Sequence, residues 1–565
     1  MTRFYFAIFL ILIVFSGFNG CDKGDGGPLF TFQTVDLTDL QDEDVFFIFT
    51  NPSPVDTASM APSVSYNQQE SRFIESKVPQ SSVPIRTSAL LDSGGIIDVQ
   101  LWKTVEGLQP SVENFRRAAG VSFNYVPPSE SVDTKTTFKG VSSIDDVIDI
   151  PATCRAKISP IDGKTLVIYV ADDCWIDGGS KANLVDGDMV TALVDKFLVT
   201  GGVNDIRDWV TDIYGEPWGA HSYTNLIEPG AEDYITILLY DIAGDNSING
   251  GIVGYFNSGN NYLKTSYSDS NERLMFAMDG VIYATGDGSW GSDDYWPQSV
   301  FSTLAHEFQH MVHYYQKQIV FGITSSDTWL NEMCSLVTED LLADKIVVPG
   351  PRGVDPPTDG SEGLPGTCNS SRISTFNYWT DDSLTTWGTE PEDRLISYAT
   401  AYSFGAFLAR NYGGAALFQK IVQSSWTDER AVTEAIAYLG YGNKTFGELL
   451  SEWPEAVLDS DRVNSAGPTF NTGNFRTSSP SDPEGTGYNL GSVNFYNYVA
   501  DDGNSGGSFM GPIPFGDENG TFNPDFLKAT PPATNVIFLA GSNLNGNASW
   551  DVEIPRGMTL KIFRK

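Results

Sequence analysis

The stretch that decides the fold of this chain is "STLAHEFQHMVHYYQKQ", residues 302–318, which contains three of the four histidines in the 565-residue sequence. His306 and His310 are four residues apart, and Glu307 directly follows the first. On an α-helix, residues four apart lie on one face about one turn from each other, so both imidazoles can bind one ion. Glu307 projects to the side of this pair, where it can reach a metal-bound water as a base. The pattern therefore predicts a helix with a hydrolytic zinc site.

A catalytic zinc site has three protein ligands and an open position, so a third ligand must come from elsewhere. Glu332, in "TWLNEMCSLVTED", lies on the next predicted helix. If that helix returns antiparallel to the first, it brings the Glu332 carboxylate to the same ion. The competing ligands are Glu339, Asp340 and the distant His221.

The same histidines have simpler interpretations. A helix with surface histidines needs no metal, and a closed structural site needs four protein ligands. His313 lies near the same helical face but about 4.5 Å further along the axis than His310, so it is predicted to be a neighbour of the site. Glu339 is predicted to be either solvated or a partner of a ligand.

The charge of the chain limits its partners. Lys and Arg number 34 against 72 Asp and Glu, which gives a formal net charge of −38. This balance argues against nucleic acid as a partner. Calcium is a possible further ion in the acidic segment "DIAGDNS", residues 241–247.

The first residues predict export. "MTRFYFAIFLILIVFSGFNGC" has one early Arg, an apolar run and then Cys21, which is typical of a signal peptide over residues 1–20. Its ending resembles a bacterial lipobox, in which the new N-terminal cysteine is lipidated. We therefore expect an exported protein, anchored to the membrane at Cys21 in the cell envelope or released outside the cell.

The remaining cysteines form an even set in an oxidising compartment, which predicts disulfides. Pairing by sequence proximity joins Cys154 to Cys174 and Cys334 to Cys368. A zinc knuckle is the weaker alternative because no two of these cysteines have C-x-x-C spacing.

Composition and periodicity divide the rest of the chain. Residues 21–129 are predicted to be a β and linker region, and a propeptide is an alternative interpretation of the same residues. In residues 130–463, strands come before the histidine stretch and helices come after it. Residues 464–565 are predicted to be a β-rich domain, because the composition shifts to Gly, Asn, Ser and Thr. The fold class is therefore α+β.

Several segments together resemble the hyicolysin family of bacterial neutral metallopeptidases. They are "LAHEFQHMVHY", "WLNEMCSLVTED", "YSFGAFLARNYGG", "IYGEPWG", "DYITILLYDI" and "GGIVGYF", within residues 132–458. The resemblance implies a zincin fold, zinc held by His306, His310 and Glu332, and Glu307 as the catalytic residue. It implies an endopeptidase whose substrates are proteins or peptides.

Two further features of such an enzyme have candidates in the sequence. Tyr402, with Tyr398 as the alternative, is predicted to donate to the oxyanion, although core packing is the more common role of a tyrosine on an amphipathic helix. "RLMFAMD" or "GIVGYF" is predicted to be an edge strand that aligns an extended substrate. The alternative function is a surface lipoprotein or adhesin whose zinc site is structural or vestigial, and an intact Glu307 argues against it.

Overall fold

The structure is a computed structural model. It describes residues 29–565 apart from 59, 68–96, 104–109, 111–129, 143–145, 160–162, 324, 352–371, 464–466, 472–475, 482–486, 502–507 and 515–528. The predicted signal peptide and Cys21 lie outside these residues, as does most of the predicted linker.

The strands of the described residues form two larger sheets and two short hairpins. In chain order they are β1 Phe30–Asn51, β2 Ser63–Tyr66, β3 Ile97–Lys103, β4 Lys135–Val141, β5 Val147–Ile158, β6 Thr165–Ala171, β7 Tyr234–Tyr240, β8 Gly250–Asn257, β9 Leu274–Asp279, β10 Arg476–Thr477, β11 Tyr488–Asn489, β12 Val499–Asp501, β13 Ser508–Met510, β14 Thr534–Pro555 and β15 Thr559–Arg564.

The longer helices follow the central strands, as the sequence predicts. In chain order the helices are α1 Gly187–Phe197, α2 Ile206–Tyr214, α3 Gly280–Tyr283, α4 Tyr295–Tyr314, α5 Thr328–Ile346, α6 Arg372–Tyr378, α7 Pro391–Asn411, α8 Ala415–Val422, α9 Glu429–Tyr438 and α10 Phe446–Leu458. Across the described part of the chain, none of them combines the length and the apolar content that crossing a bilayer requires. The predicted α+β class is confirmed.

The seven-stranded sheet positions the histidine helix. Its strand order is β3-β8-β9-β7-β6-β5-β4, with β6, β7 and β9 parallel and β8 antiparallel to β9. Every residue of β7, "YITILLY", is buried, as expected for a central strand covered on both faces. β8 crosses close to α4, because a Cβ added at Gly254 would lie 3.0 Å from Cγ2 of Thr303. Glycine at this position therefore lets the strand approach the helix.

The other large sheet joins the two ends of the chain. Its order is β15-β1-β14-β2, and β1 pairs antiparallel with β14 along most of its length. Phe46 and Ile48 of β1 pack with Ile537 of β14 and with Leu458, the last residue of α10. The predicted N-terminal and C-terminal regions therefore share a sheet, whereas the proposed boundaries at residues 130 and 464 stay predictions.

The predicted Cys154–Cys174 disulfide is wrong, because both thiols are free and buried. Cys154 on β5 lies opposite Tyr169 of β6, and its thiol donates to the carbonyl of Ala156 at 3.5 Å. Cys174 lies beyond the end of β6, in a turn closed on the carbonyl of Ala171. Sequence proximity does not bring the two sulfurs together. Cys334 is also free and buried, and its predicted partner Cys368 lies outside the described residues.

Candidate metal centre

The metal centre is built between α4 and α5, which run antiparallel. Contacts show the direction, since Ser302 near the middle of α4 meets Glu339 late in α5, and His313 at the end of α4 meets Ser326 just before α5. Both helices are buried along most of their length. The return of α5 beside α4 is the arrangement that the sequence predicts for a third ligand.

Three predicted ligands meet at one point. One ligand atom from each of His306, His310 and Glu332 lies within 4.8 Å of the other two, and all three side chains are buried. Oε2 of Glu332 is 3.2 Å from Nε2 of His306 and 3.4 Å from Nε2 of His310. Donor atoms 2.0–2.1 Å from a tetrahedral zinc are separated by about 3.3 to 3.4 Å. The spacing and donor types therefore fit Zn²⁺.

The three groups shift each other's protonation. Burial lowers the pKa of His306, but hydrogen bonds with Glu332 and Glu339 outweigh burial and raise it to about 10. Burial raises the pKa of Glu332, but the charges and hydrogen bonds of the two histidines outweigh burial and lower it to about 2. Burial lowers the pKa of His310. A divalent cation satisfies the same electron pairs, so its binding would release protons from this cluster.

The surroundings of Glu307 differ from those of Glu332. Burial raises the pKa of Glu307 to about 8. Neither of its carboxylate oxygens has a hydrogen-bond partner among the described residues. The main-chain N–H of Phe256 on β8 lowers the pKa of Glu307, although the N–H and the carboxylate do not meet the geometry of a normal hydrogen bond. Buried polar atoms without hydrogen-bond partners are rare in native proteins and call for an explanation. A metal-bound water would be such a partner for Glu307, and a carboxylate beside that water can act as a base.

The other nitrogen of each histidine is also engaged. Nδ1 of His306 lies 2.7 Å from Oε1 of Glu339. Nδ1 of His310 lies 3.2 Å from Oδ1 of Asn331 and 3.1 Å from Oγ of Ser335. Because carboxylate and amide oxygens only accept, both Nδ1 atoms donate, and an ion can bind both Nε2 atoms once Nε2 of His306 has lost its proton.

The sequence reasoning found the three residues of this group but only part of their support. Glu339 is the partner of the candidate ligand His306 and is not solvated. Asn331 and Ser335 were missed. The available signal was their helical spacing, because Asn331 precedes Glu332 and Ser335 follows Asn331 by one turn.

Other candidate ligands lie outside the group. His313 contacts Oγ of Ser326 at 2.8 Å, and Nε2 of His221 lies 2.9 Å from the carbonyl of Ile227. Asp340 pairs with Arg410 at 3.0 Å. Among the described residues, the triad is the one group of three or more such side chains with a metal-binding arrangement.

The two tyrosines predicted for the oxyanion contact residues outside the triad. The hydroxyl of Tyr402 donates to Oδ2 of Asp340 at 3.3 Å, and Asp340 follows Glu332 by about 12 Å along α5. Tyr398 packs its ring against Trp387. The oxyanion role of Tyr402 stays a prediction, which the turnover number of Tyr402→Phe would test.

The predicted calcium segment has other contacts. Asp241 forms an ion pair with Lys181 at 2.6 Å and accepts from the backbone of Asn246. Asp245 accepts from the backbone of Ser247. The carboxylates are thus used by protein groups, and nothing in the described residues supports calcium.

Sequence comparison agrees with this geometry. The family model for peptidase M30 matches residues 146–480, more than half of the chain. The chain belongs to the peptidase M30 family. The predicted hyicolysin resemblance is confirmed, since a neutral metalloprotease of Staphylococcus hyicus, ShpI, is 28% identical over 242 residues.

The extent of these likenesses is limited. The match to ShpI covers 41% of this chain and 48% of that protein, so the chain spans about half the length of the curated relative. The M1 zinc metallopeptidase of Deinococcus radiodurans matches at 12% identity with a TM-score of 0.27 over 60% of this chain and 61% of that one. A variant of the same enzyme gives a TM-score of 0.28 over 60% and 62%. Scores this low do not establish a shared fold.

Proposed function

We propose that this M30 family member is a zinc-dependent endopeptidase that hydrolyses peptide bonds in proteins. The observation that carries the proposal is the buried His306, His310 and Glu332 group, with the unpartnered carboxylate of Glu307 next to it in sequence. A structural zinc site is normally closed by a fourth protein ligand, whereas three ligands leave a position open.

Each residue has a proposed task. His306, His310 and Glu332 hold the ion, which when bound polarises a peptide carbonyl and makes a water more acidic. Glu307 takes the proton of that water onto its free carboxylate and passes it to the departing amine.

The proposed substrate is an extended peptide, for which an edge strand beside the metal was predicted. Both strands predicted for this task are wrong as edges, because β9, "LMFAMD", lies between β8 and β7, and β8 itself lies between β3 and β9. β8, "GIVGYF", packs on α4, and the backbone of Phe256 faces Glu307. Its outer side pairs in parallel with β3. Both sides of β8 are therefore already paired, and its backbone is not free for a substrate.

Metal content tests the proposal. We expect purified protein to contain about one zinc per chain, the number that one three-ligand site holds. We also expect a strong chelator to abolish hydrolysis of casein and added zinc to restore it. Elemental analysis and a casein assay on the same preparation measure both. A zinc content near zero that added zinc does not restore would refute the metal centre.

We also propose that the protein is exported and anchored through a lipid on Cys21. Support comes from the apolar run of residues 4–15 and the lipobox-like "SGFNGC" that follows it. Mass spectrometry of detergent-extracted protein should find acyl groups on an N-terminal Cys21. A mature protein that begins at another residue would contradict the anchor without contradicting export.

A further inference from the structure

The two ligand histidines of the proposed zinc site are supported by different chemical groups. His306 has a buried carboxylate behind it, and His310 has a neutral amide and a hydroxyl. From this difference we infer that Glu339 is a positioning residue that contributes more to zinc affinity than the groups behind His310, with Ser302 holding its second oxygen. This inference rests on the proposed zinc site but does not depend on which peptides are cleaved.

Glu339 is clamped at both carboxylate oxygens. Oε1 lies 2.7 Å from Nδ1 of His306, and Oε2 accepts from the hydroxyl of Ser302 at 2.8 Å. Ser302 and His306 are one turn apart on α4, so a single carboxylate from α5 reaches both. The carboxylate therefore has little freedom to rotate away from the imidazole.

This geometry fixes the state of His306. A carboxylate only accepts, so Nδ1 of His306 must carry a proton, and Nε2 is the nitrogen that presents its lone pair when the ion replaces the other proton. The distance of 2.7 Å is typical of a charge-assisted hydrogen bond, which is about twice as strong as a neutral one. A negative charge behind the ring also makes the imidazole a stronger donor to a cation.

The support of His310 is weaker and neutral. Ser335 donates its hydroxyl proton to Oε1 of Gln309 at 2.5 Å, so its oxygen is left to accept from Nδ1 of His310 at 3.1 Å. Asn331 accepts from the same nitrogen at 3.2 Å. Two acceptors share one proton at longer distances, and neither is charged. Losing one of them leaves the other in place.

The unequal supports predict unequal losses of zinc affinity. Glu339→Gln removes the charge while keeping the size, so we expect the zinc dissociation constant to rise about 10- to 100-fold. Ser302→Ala and Ser335→Ala each remove one neutral hydrogen bond, so we expect about a fivefold rise for each. Competition with a chromogenic chelator measures all three constants.

A second readout separates positioning from general stabilisation. In zinc-loaded protein with ¹⁵N-labelled histidine, we expect the Nδ1 proton of His306 to exchange with solvent faster in Glu339→Gln than in the wild type. A role in stability alone would lower the unfolding midpoint of the metal-free protein and leave this exchange rate unchanged. Glu434→Gln, the same change at an exposed position of α9, is the matched control and should alter neither property.

The outcomes distinguish this inference from the proposed function. If Glu339→Gln binds zinc as tightly as the wild type, or no more weakly than Ser335→Ala, Glu339 does not have this role, whatever the peptidase activity. If the predicted ranking of zinc affinities holds but the wild type cuts no peptide, the inference stands and the endopeptidase proposal fails. If Glu339→Gln does not fold, Ser302→Ala decides, and an unchanged zinc affinity in that variant overturns the inference.

Discussion

Glu307→Gln is expected to slow casein hydrolysis at least about 100-fold while zinc remains bound, because a general base typically contributes 10²- to 10⁴-fold. The substitution keeps nearly the same shape and leaves His306, His310 and Glu332 in place. It removes the group that accepts and returns the proton. Initial rates and zinc content, measured on the same preparation, check the prediction.

The control for this variant is the same substitution outside the site. Glu434→Gln on the exposed side of α9 should cut casein at the wild-type rate. If Glu307→Gln is as active as the wild type, the peptidase interpretation of "HEFQH" is wrong. The binding lipoprotein would then be the better account of the histidines, with zinc serving structure.

Glu332→Ala is expected to lose zinc and activity together. The variant removes one of three ligands and leaves a buried pair of imidazoles, and two ligands hold a metal far more weakly than three. We therefore expect little zinc after dialysis and hydrolysis reduced at least as much as in Glu307→Gln. Zinc analysis before and after dialysis, together with the casein assay, measures the effect.

Asp340→Asn tests whether the loss in Glu332→Ala is specific to the ligand. Asp340 lies on the same helix and was a competing candidate, but it pairs with Arg410 away from the triad. The variant should keep its zinc, although breaking a buried ion pair is expected to lower the unfolding midpoint. If Glu332→Ala keeps zinc and Asp340→Asn loses it, the third ligand has been assigned to the wrong carboxylate.

The candidate ligands could be predicted from sequence because the chemistry is local. The four-residue spacing of His306 and His310 fixes their common face on any α-helix, whatever that helix packs against. Glu332 needed one more assumption, the antiparallel return of α5. The α+β class was predictable for a similar reason, since apolar strands and amphipathic helices have different periods.

The disulfide and the edge strand show where such reasoning fails. Cys154 and Cys174 are close in sequence, yet the register of β5 and β6 puts Tyr169 opposite Cys154, and Cys174 lies beyond the end of β6. "LMFAMD" has the composition of either an edge or an interior strand. Only the order of strands in the sheet shows that β9 is enclosed.

The sequence by itself therefore determined the fold class, through the periods of its strands and helices, and the candidate metal-binding pair and base, through spacing within one helix. Only the tertiary structure decided which carboxylate completes the triad and which one supports His306. Glu332 and Glu339 are two turns apart on α5 and chemically equivalent in sequence. The way α4 packs against α5 places Glu332 against the Nε2 atoms of both histidines and Glu339 against Nδ1 of His306.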